Sequence, residues 1–292
     1  MKKQSPTFID CTVVLTHYNR QKNLENTLEG LNMQSSLPKK VVVVNFGTEP
    51  ELSVDYRFEL SIIPFRNEWQ FLPVAAARNL GVEHADTEHL VFLDVDCIPS
   101  RNFCGTIVGN VRNNGGLVMG TPRYMLVKKQ QCHNLEQLEN LSTPHPARPI
   151  VSNIQRENCY ELFWSLCFCI NINDFKRIGG FDENYVGYGV EDTDFGLKSK
   201  QLGVPFYLSP AEVYHQQHPL FIPPLNHIES IIGNCNHFHS KWGYWPMSDC
   251  LEDFKYMGLI EWNFSRNRPI SLLRLPDQHI IDKHLVQNAP YR

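Results

Sequence analysis

The 292-residue sequence lacks any apolar run that approaches the roughly 18 residues of a membrane span. Residues 1–6 carry basic side chains but no hydrophobic stretch of signal-peptide length. These two absences predict a protein that stays where it is made, in the cytoplasm, with peripheral association at the inner membrane face as an open alternative.

An excess of positive charge is also missing, because 27 basic side chains face 31 acidic ones and the net charge is −4. Nucleic acid is therefore not an expected partner. A phosphate-bearing ligand would need a few placed cations, a metal or backbone N–H groups. The nine cysteines include no Cys-x-x-Cys pair, and several, such as Cys11, Cys167 and Cys169, lie in apolar runs. We expect buried thiols in a reducing compartment.

Strand and helix patterns alternate in the first hundred residues. The expected strands are 8–16, 41–44, 60–63 and 90–93, and the expected helices are 20–33 and 74–84. Strands separated by helices predict a parallel sheet with right-handed crossovers, whose ligands bind beyond the carboxyl ends of the strands. Beyond residue 220 the pattern changes, so we predict a core over 1–220 and a C-terminal extension, packed on it, over 221–292.

Two carboxylates end the strand at 90–93, in the sequence Leu93-Asp94-Val95-Asp96. In an extended segment both would point the same way and could face one cation, and such oxygen ligands suit Mg²⁺ or Mn²⁺. A solvated turn is the alternative. The buried strand before them favours the metal, because buried carboxylates need a cation or hydrogen-bond donors.

Glycines flank a tyrosine and precede two acids in the segment Gly187-Tyr188-Gly189-Val190-Glu191-Asp192. Glycine lets the backbone approach a ligand closely, and a carboxylate beside a substrate hydroxyl can act as a general base. The alternative is that the acids only stabilise the start of a helix over 191–202.

Histidines and arginines supply further candidates. His215 and His218 lie three residues apart in a predicted turn and can bind one metal, although a structural role is the alternative. His237 and His239 have no acidic neighbour in sequence and are interpreted as structural. After the first strand Tyr18 can stack on a base; in the second helix Arg78 can meet a phosphate, unless it is merely solvated.

Taken in order, these motifs resemble the inverting glycosyltransferases of the GT-A fold. The first hundred residues resemble family 2 of the nucleotide-sugar transferases in Val13 to Arg20, Ala77 to Gly81 and Val91 to Asp96. The segment from Gly179 to Asp194 resembles the C-terminal motif of β-1,4-galactosyltransferases and polypeptide N-acetylgalactosaminyltransferases. The resemblance covers residues 8–219. It implies an α/β fold with a Rossmann-like, mostly parallel central sheet and flanking helices, followed by a helical C-terminal extension.

The resemblance also implies roles for single residues. Asp96 corresponds to the direct metal ligand of the Asp-x-Asp (DXD) motif, with His218 as the better and His215 as the second histidine ligand. Asp192 corresponds to the catalytic base and Glu191 to its acidic neighbour. The implied contacts of the nucleotide are Thr16, Tyr18, Asn19, Arg20, Asn45, Arg78 and Asp94, and those of the acceptor are Tyr188 and Gly189.

One departure concerns the nucleotide. Family members often carry Asp-Asp-Gly-Ser after the second strand, whereas this chain has Val44-Asn45-Phe46-Gly47-Thr48. The usual acid is missing, and Asn45 is the residue that can hydrogen-bond a base in its place. The resemblance leaves UDP as the expected nucleotide.

The resemblance implies an inverting, metal-dependent transferase for polysaccharide biosynthesis. A hexose or N-acetylhexosamine, with galactose or GalNAc favoured, would pass from a UDP-sugar to a glycan hydroxyl. Mn²⁺ or Mg²⁺ and Arg78 would neutralise the diphosphate while Asp192 takes the hydroxyl proton. One alternative is a nucleotidyltransferase, although its Gly-rich loop after the first strand is absent. The other is a non-catalytic carbohydrate-binding protein on a transferase fold, against which the intact acids argue.

Overall fold

The computed structural model describes residues 6–52, 54–66, 70–126, 135–264 and 268–287. Residues 1–5, on which the expectation about a signal peptide largely rests, lie outside these ranges. The strands are β1 Thr7–His17, β2 Ser36–Asn45, β3 Glu59–Pro64, β4 His89–Asp94, β5 Cys97–Pro99, β6 Leu117–Met125, β7 Ser142–Pro144, β8 Gln155–Glu157, β9 Cys167–Asn171, β10 Phe206–His215, β11 Leu220–Phe221, β12 Ile260–Glu261, β13 Ser271–Leu272 and β14 Leu285–Val286. The helices are α1 Gln21–Asn32, α2 Val74–Glu83, α3 Phe103–Asn114, α4 Leu135–Asn140, α5 Ile172–Ile178, α6 Glu191–Gln201, α7 Ile228–Trp242, α8 Ser248–Tyr256 and α9 Gln278–Lys283.

The described residues form a central sheet of ten strands. Eight of them follow the order β3-β2-β1-β4-β9-β6-β10-β5, and the other two, β7 and β8, pair with β6 and β10 respectively. The first four strands in this order are parallel, as predicted. Beyond β4 the sheet is mixed, because β9 runs antiparallel to both β4 and β6 while β6 and β10 are parallel. The predicted strands and helices of the first hundred residues are confirmed.

Helices cover both faces of this sheet. Alternate residues of β1 pack on opposite faces of the sheet. Val13 and Leu15 belong to the apolar cluster that contains α1 and α3, and Val14 belongs to the cluster that contains α2, α5 and α6. This period of two is what a strand buried on both faces requires. Helix α2 lies especially close to β1, because a Cβ on Gly81 would come within 2.3 Å of Val14 Cγ1.

The cysteines agree with the prediction with one exception. All eight cysteines in the described part of the chain are free thiols, and seven of them are buried. Cys167 and Cys169 share one face of β9, inside the cluster of α1 and α3. Cys159 is exposed, so the expectation of buried thiols is wrong there; it lies between β8 and a short 3-10 helix over Tyr160–Leu162 and not in an apolar run. Cys132 lies outside the described ranges.

The C-terminal helices have an apolar cluster of their own, which includes Leu251, Phe254 and Trp262. Helix α7 also contacts the sheet domain, because its Phe238 packs with Tyr185, Val190 and Leu197. The boundary near residue 220 stays a prediction. None of the helices formed by the described residues is long and apolar enough to cross a membrane.

Candidate active site

A cleft of about 710 Å³ opens beyond the carboxyl ends of β1 and β4. This is the place where an open α/β sheet presents its loops to a ligand. The turn after β4, the residues that follow β1, the glycine-containing loop before α6 and the segment before β9 all contribute to its walls. The predicted site residues that line it are Thr16, Tyr18, Arg20, Arg78, Asp94, Asp96, Tyr188, Gly189, Glu191 and Asp192.

Arg78 joins two walls of the cleft. Its side chain is buried; Nη2 lies 3.1 Å from Asp94 Oδ1 and Nη1 lies 3.1 Å from Glu191 Oε1. Burial alone would lower the pKa of Arg78, but the charges of Asp94 and Glu191 raise it. The guanidinium therefore remains charged and fixes the end of β4 against the start of α6. Arg78 is buried whereas Asp94 is partly exposed to the cleft, and a charge that is shielded from water in this way interacts strongly with a bound anion.

Asp96 is surrounded by three cationic or potentially cationic groups. His215 Nε2 lies 3.6 Å from Asp96 Oδ1, His218 Nε2 lies 3.5 Å from Oδ2, and Arg20 forms an ion pair with the same carboxylate. Burial would raise the pKa of Asp96, but His215, Arg20 and His218 outweigh it and lower that pKa. Burial lowers the pKa of His218, which favours the neutral imidazole that a metal needs.

These three residues can hold a metal ion. One ligand atom each from Asp96, His215 and His218 lies within 4.8 Å of the others. A set of one carboxylate and two imidazoles fits Mn²⁺ better than Mg²⁺, because Mg²⁺ prefers oxygen ligands throughout.

Asp94 is not one of these three residues, and the expected extended segment through Asp94 and Asp96 is wrong, whereas the facing of one cation by both carboxylates stays a prediction. Strand β4 ends at Asp94 and a turn separates it from β5, so the two side chains are not related by the period of a strand. Asp94 instead pairs with Arg78. Burial and the nearby Asp96 raise the pKa of Asp94, against the opposing charge of Arg78.

Helix α1 forms hydrogen bonds with the turn at residues 95–96 and with Gln216, which lies between the two histidines. Thr27 Oγ1 donates to Val95 O at 2.8 Å, and Asn26 Nδ2 donates to Gln216 Oε1 at 2.8 Å. The backbone N–H of Gln216 donates to Asp96 O at 2.7 Å. Sequence reasoning missed Asn26 and Thr27, which are two of the three polar residues between Leu24 and Leu28 and are buried with these leucines.

Asp192 occupies the first turn of α6, which begins directly after the glycine-containing loop. Its Oδ1 accepts a hydrogen bond of 2.7 Å from the backbone N–H of Thr193. Burial and the adjacent Glu191 raise the pKa of Asp192 to about 7. A carboxylate with this pKa is basic enough to take a proton from a hydroxyl and is still substantially ionised at neutral pH.

A polar stripe on α7 holds the loop that carries Tyr188. Asn234 Nδ2 lies 3.1 Å from the carbonyl oxygens of Val186, Tyr188 and Gly189, and Asn234 Oδ1 accepts from Val186 N at 3.2 Å. Ser230 Oγ accepts from Tyr188 N at 3.2 Å. These bonds help to hold the end of the loop, where Val190 has φ of 68°, a conformation that β-branched residues rarely adopt. Sequence reasoning missed both α7 residues.

Two residues shape the mouth of the cleft near this loop. Tyr188 is about one-third exposed and stacks on His227, with 4.9 Å between ring centroids and 9° between ring planes. Met247, from the extension, lines the same cleft with a left-handed backbone at φ of 50°. The extension therefore contributes a wall of the cleft.

Asn19 and Asn45 lie outside the residues that line this cleft. Asn45 Nδ2 donates to Gly47 O and Thr48 O at 3.1 Å, and its Oδ1 lies 2.9 Å from His17 Nδ1. Asn19 Oδ1 accepts from Thr48 N at 3.2 Å. The two side chains thus shape the loop after β2, and their expected contact with a nucleotide stays a prediction.

With this geometry in place, comparison with known proteins decides the family. The model of glycosyl transferase family 2 matches residues 12–168, more than half of the chain. The chain belongs to this family. A second model, the N-terminal domain of galactosyltransferase, matches residues 148–219, which contain the glycine-containing loop and the start of α6. The predicted resemblance of this family 2 member to both groups is confirmed.

Curated relatives of this family 2 chain are distant and longer. Validoxylamine A glucosyltransferase of Streptomyces hygroscopicus subsp. limoneus is 24% identical over 263 residues, which cover 79% of this chain and 56% of that protein. Chondroitin synthase of Pasteurella multocida (strain Pm70) is 25% identical over 245 residues, which cover 72% of this chain and 25% of that protein. The chain thus spans about half of the first relative and a quarter of the second.

A solved structure of GalNAc-T7 with UDP, GalNAc and Mn²⁺ superposes with a TM-score of 0.55 at 15% identity. The match covers 71% of this chain and 43% of that one. At such identity the likeness concerns the fold, and it confirms the predicted GT-A architecture.

Proposed function

We propose that this protein is an inverting, metal-dependent glycosyltransferase that uses a UDP-sugar. The observation that carries the proposal is the arrangement of one cleft, in which Arg78 connects the Asp94 end of β4 to the Glu191-Asp192 start of α6. A cation-binding group and a carboxylate of raised pKa thereby face the same space. Family membership and the neighbour that contains UDP, GalNAc and Mn²⁺ support the same function.

Asp96, His215 and His218 are the residues that would hold the metal. When bound, the ion would supply positive charge to the diphosphate of the donor. Arg20, which pairs with Asp96 and lines the same cleft, would add a second positive charge near the diphosphate. Thr16, Tyr18 and Phe46 line the part of the cleft nearest the β1 end, where we place the nucleoside.

Asp192 would act as the general base. Its carboxylate accepts the proton of the acceptor hydroxyl, whose oxygen attacks the anomeric carbon opposite the leaving diphosphate and inverts the configuration there. Glu191 holds Arg78 and, by its charge, keeps the pKa of Asp192 high. Tyr188 and Met247 provide the surface on which a sugar ring packs.

The donor sugar is proposed as a hexose or N-acetylhexosamine, with galactose or GalNAc first. The match of residues 148–219 to a galactosyltransferase domain and the GalNAc of the structural neighbour support this order. A relative named as a glucosyltransferase keeps glucose in the set. The acceptor is proposed to be a glycan, as the name of the chondroitin synthase suggests for that relative.

A donor screen tests the proposal. The full chain is incubated with UDP-galactose, UDP-GalNAc, UDP-glucose and UDP-GlcNAc, with Mn²⁺ or with EDTA, and release of UDP is measured. We expect release from at least one donor with Mn²⁺ and little with EDTA. Asp174→Asn is the matched control, because this acid pairs with Arg177 on α5 and not with a residue of the cleft. The absence of release and of binding with all donors and metals would refute the proposal.

A further inference from the structure

Trp164 forms part of the wall of the cleft, and the guanidinium of Arg148 lies over its ring. The guanidinium carbon of Arg148 is 3.4 Å from the centre of the Trp164 ring. His145 meets the same ring edge-on at 5.0 Å, and its backbone carbonyl accepts a hydrogen bond of 3.0 Å from Arg148 N. The turn at 145–148 therefore places a cation on an aromatic ring that lines the candidate active site.

Two nitrogens of the guanidinium are buried without hydrogen-bond partners in the described part of the chain. Its Nε and Nη1 atoms are covered, and neither has a partner among the described residues. Other arginines at the sheet are paired, Arg78 with two acids and Arg123 with Glu212. Buried donors are normally satisfied, and a buried charge without a partner is costly, so this exception needs a cause.

Arg148 keeps its charge at neutral pH although burial lowers its pKa to about 10. Trp164, which carries Arg148, lines the same cleft as Asp192, and the charge of Asp192 is the strongest of those that raise the pKa of Arg148. In the proposed function this cleft receives the acceptor hydroxyl at Asp192. A positive charge beside the acceptor has no task in transfer to a neutral sugar.

We propose that Arg148 on Trp164 is the binding site for a carboxylate or phosphate group of the acceptor, which makes the acceptor an acidic glycan. This inference rests on the proposed function, since that function places the acceptor beside Asp192. A guanidinium matches either group with two parallel hydrogen bonds. The covered Nε and Nη1 atoms reach the anion when the guanidinium shifts along the Trp164 ring. A stacked contact allows such a shift more readily than a hydrogen bond does. Trp164 then offers its ring to the sugar that carries the anion.

The test compares charged ligands with their neutral counterparts on the full chain, saturated with UDP and Mn²⁺. Methyl β-D-glucuronide is compared with methyl β-D-glucoside, and glycerol 3-phosphate with glycerol, by ligand-observed NMR titration. We expect at least one anion to bind about tenfold more tightly than its counterpart, the effect of a charge-assisted hydrogen bond. A preference for the glucuronide indicates a carboxylate as the natural group, and a preference for glycerol 3-phosphate indicates a phosphate. If neither anion is preferred by the wild-type protein, the inference is refuted.

Arg148→Gln should abolish the preference and leave the affinity for UDP and for the neutral ligands within about twofold. Arg148→Lys keeps the charge without the planar fork, so it should retain part of the preference and serves if the Gln variant does not fold. A preference that survives in Arg148→Gln contradicts the inference. The inference is also contradicted if Arg148→Gln weakens the binding of UDP-glucuronic acid but not that of UDP-glucose, because Arg148 would then bind an anion of the donor. The UDP affinity itself reports on the proposed function separately.

Discussion

Asp192→Asn is the substitution with the clearest expected consequence. The amide has the shape of the carboxylate and can still accept the hydrogen bond from Thr193 N, so the start of α6 should be kept. What is lost is the base. Removal of a positioned general base lowers the rate by a factor of about 10² to 10⁴. We expect that loss in kcat for transfer, with the affinity for UDP nearly unchanged.

The pKa of Asp192 gives this prediction a second part. With a pKa of about 7, the carboxyl is largely protonated at pH 6 and largely ionised at pH 8. A base must be ionised to act, so activity should rise with pH, by roughly tenfold per unit well below the pKa and little above it. In Asp192→Asn the residual activity should not show this rise with pH.

The assay is transfer or UDP release from the best donor between pH 5.5 and 8.5, for the wild-type protein, Asp192→Asn and the control Asp174→Asn. The control should keep the wild-type profile, because Asp174 lies on α5 and pairs with Arg177. The reasoning is refuted if Asp192→Asn retains more than about a tenth of the activity, or if it keeps the rise of activity near pH 7.

Three further substitutions test other parts of the site. His218→Ala should weaken Mn²⁺-dependent UDP binding at least tenfold, measured by calorimetry, with little change in melting temperature because His218 is partly exposed. Asn234→Ala leaves backbone groups of the Tyr188 loop without their hydrogen-bond partner. We expect the free energy of unfolding in urea to fall by about 1–3 kcal/mol and the KM for the acceptor to rise, with the affinity for UDP kept. Lys241 Nζ lies 2.7 Å from Oδ1 of the fully buried Asp194, so Lys241→Met should lower the free energy of unfolding by about 3 kcal/mol; a change within about 0.5 kcal/mol, as is usual for surface sites, would contradict the importance of this ion pair.

The sequence was sufficient for those parts of the site that follow from local pattern. The mostly apolar runs of β1 and β4 predict where these strands end, and strand ends of a parallel sheet share one edge. Arg78 and Asp192, which lie on helices, could be assigned to one cleft only through the resemblance of their motifs to family 2 and to the galactosyltransferases. The separation of Asp94 from Asp96 could not, because it depends on the turn after β4 and on Arg78, which competes for Asp94.

The contribution of α7 depends on contacts between distant parts of the chain. His237 was interpreted as structural because no acid lies near it in sequence, yet its Nε2 lies 3.2 Å from Asp182 Oδ2 across 55 residues. Ser230, Asn234, His237 and Lys241 share one helix face by spacing alone. A polar face on a helix usually meets water, so nothing local showed that this one meets the loop of Tyr188 and the acids Asp182 and Asp194.

The most direct test of the account is the affinity for UDP with Mn²⁺ and with EDTA, in the wild-type protein and in Asp96→Asn. The account predicts that wild-type binding depends on Mn²⁺ and that the substitution removes most of this dependence, because Asp96 connects both histidines of the candidate metal site. Equal affinity in Mn²⁺ and EDTA, or a metal dependence that persists unchanged in Asp96→Asn, would contradict the claim that this cleft holds a metal-bound nucleotide.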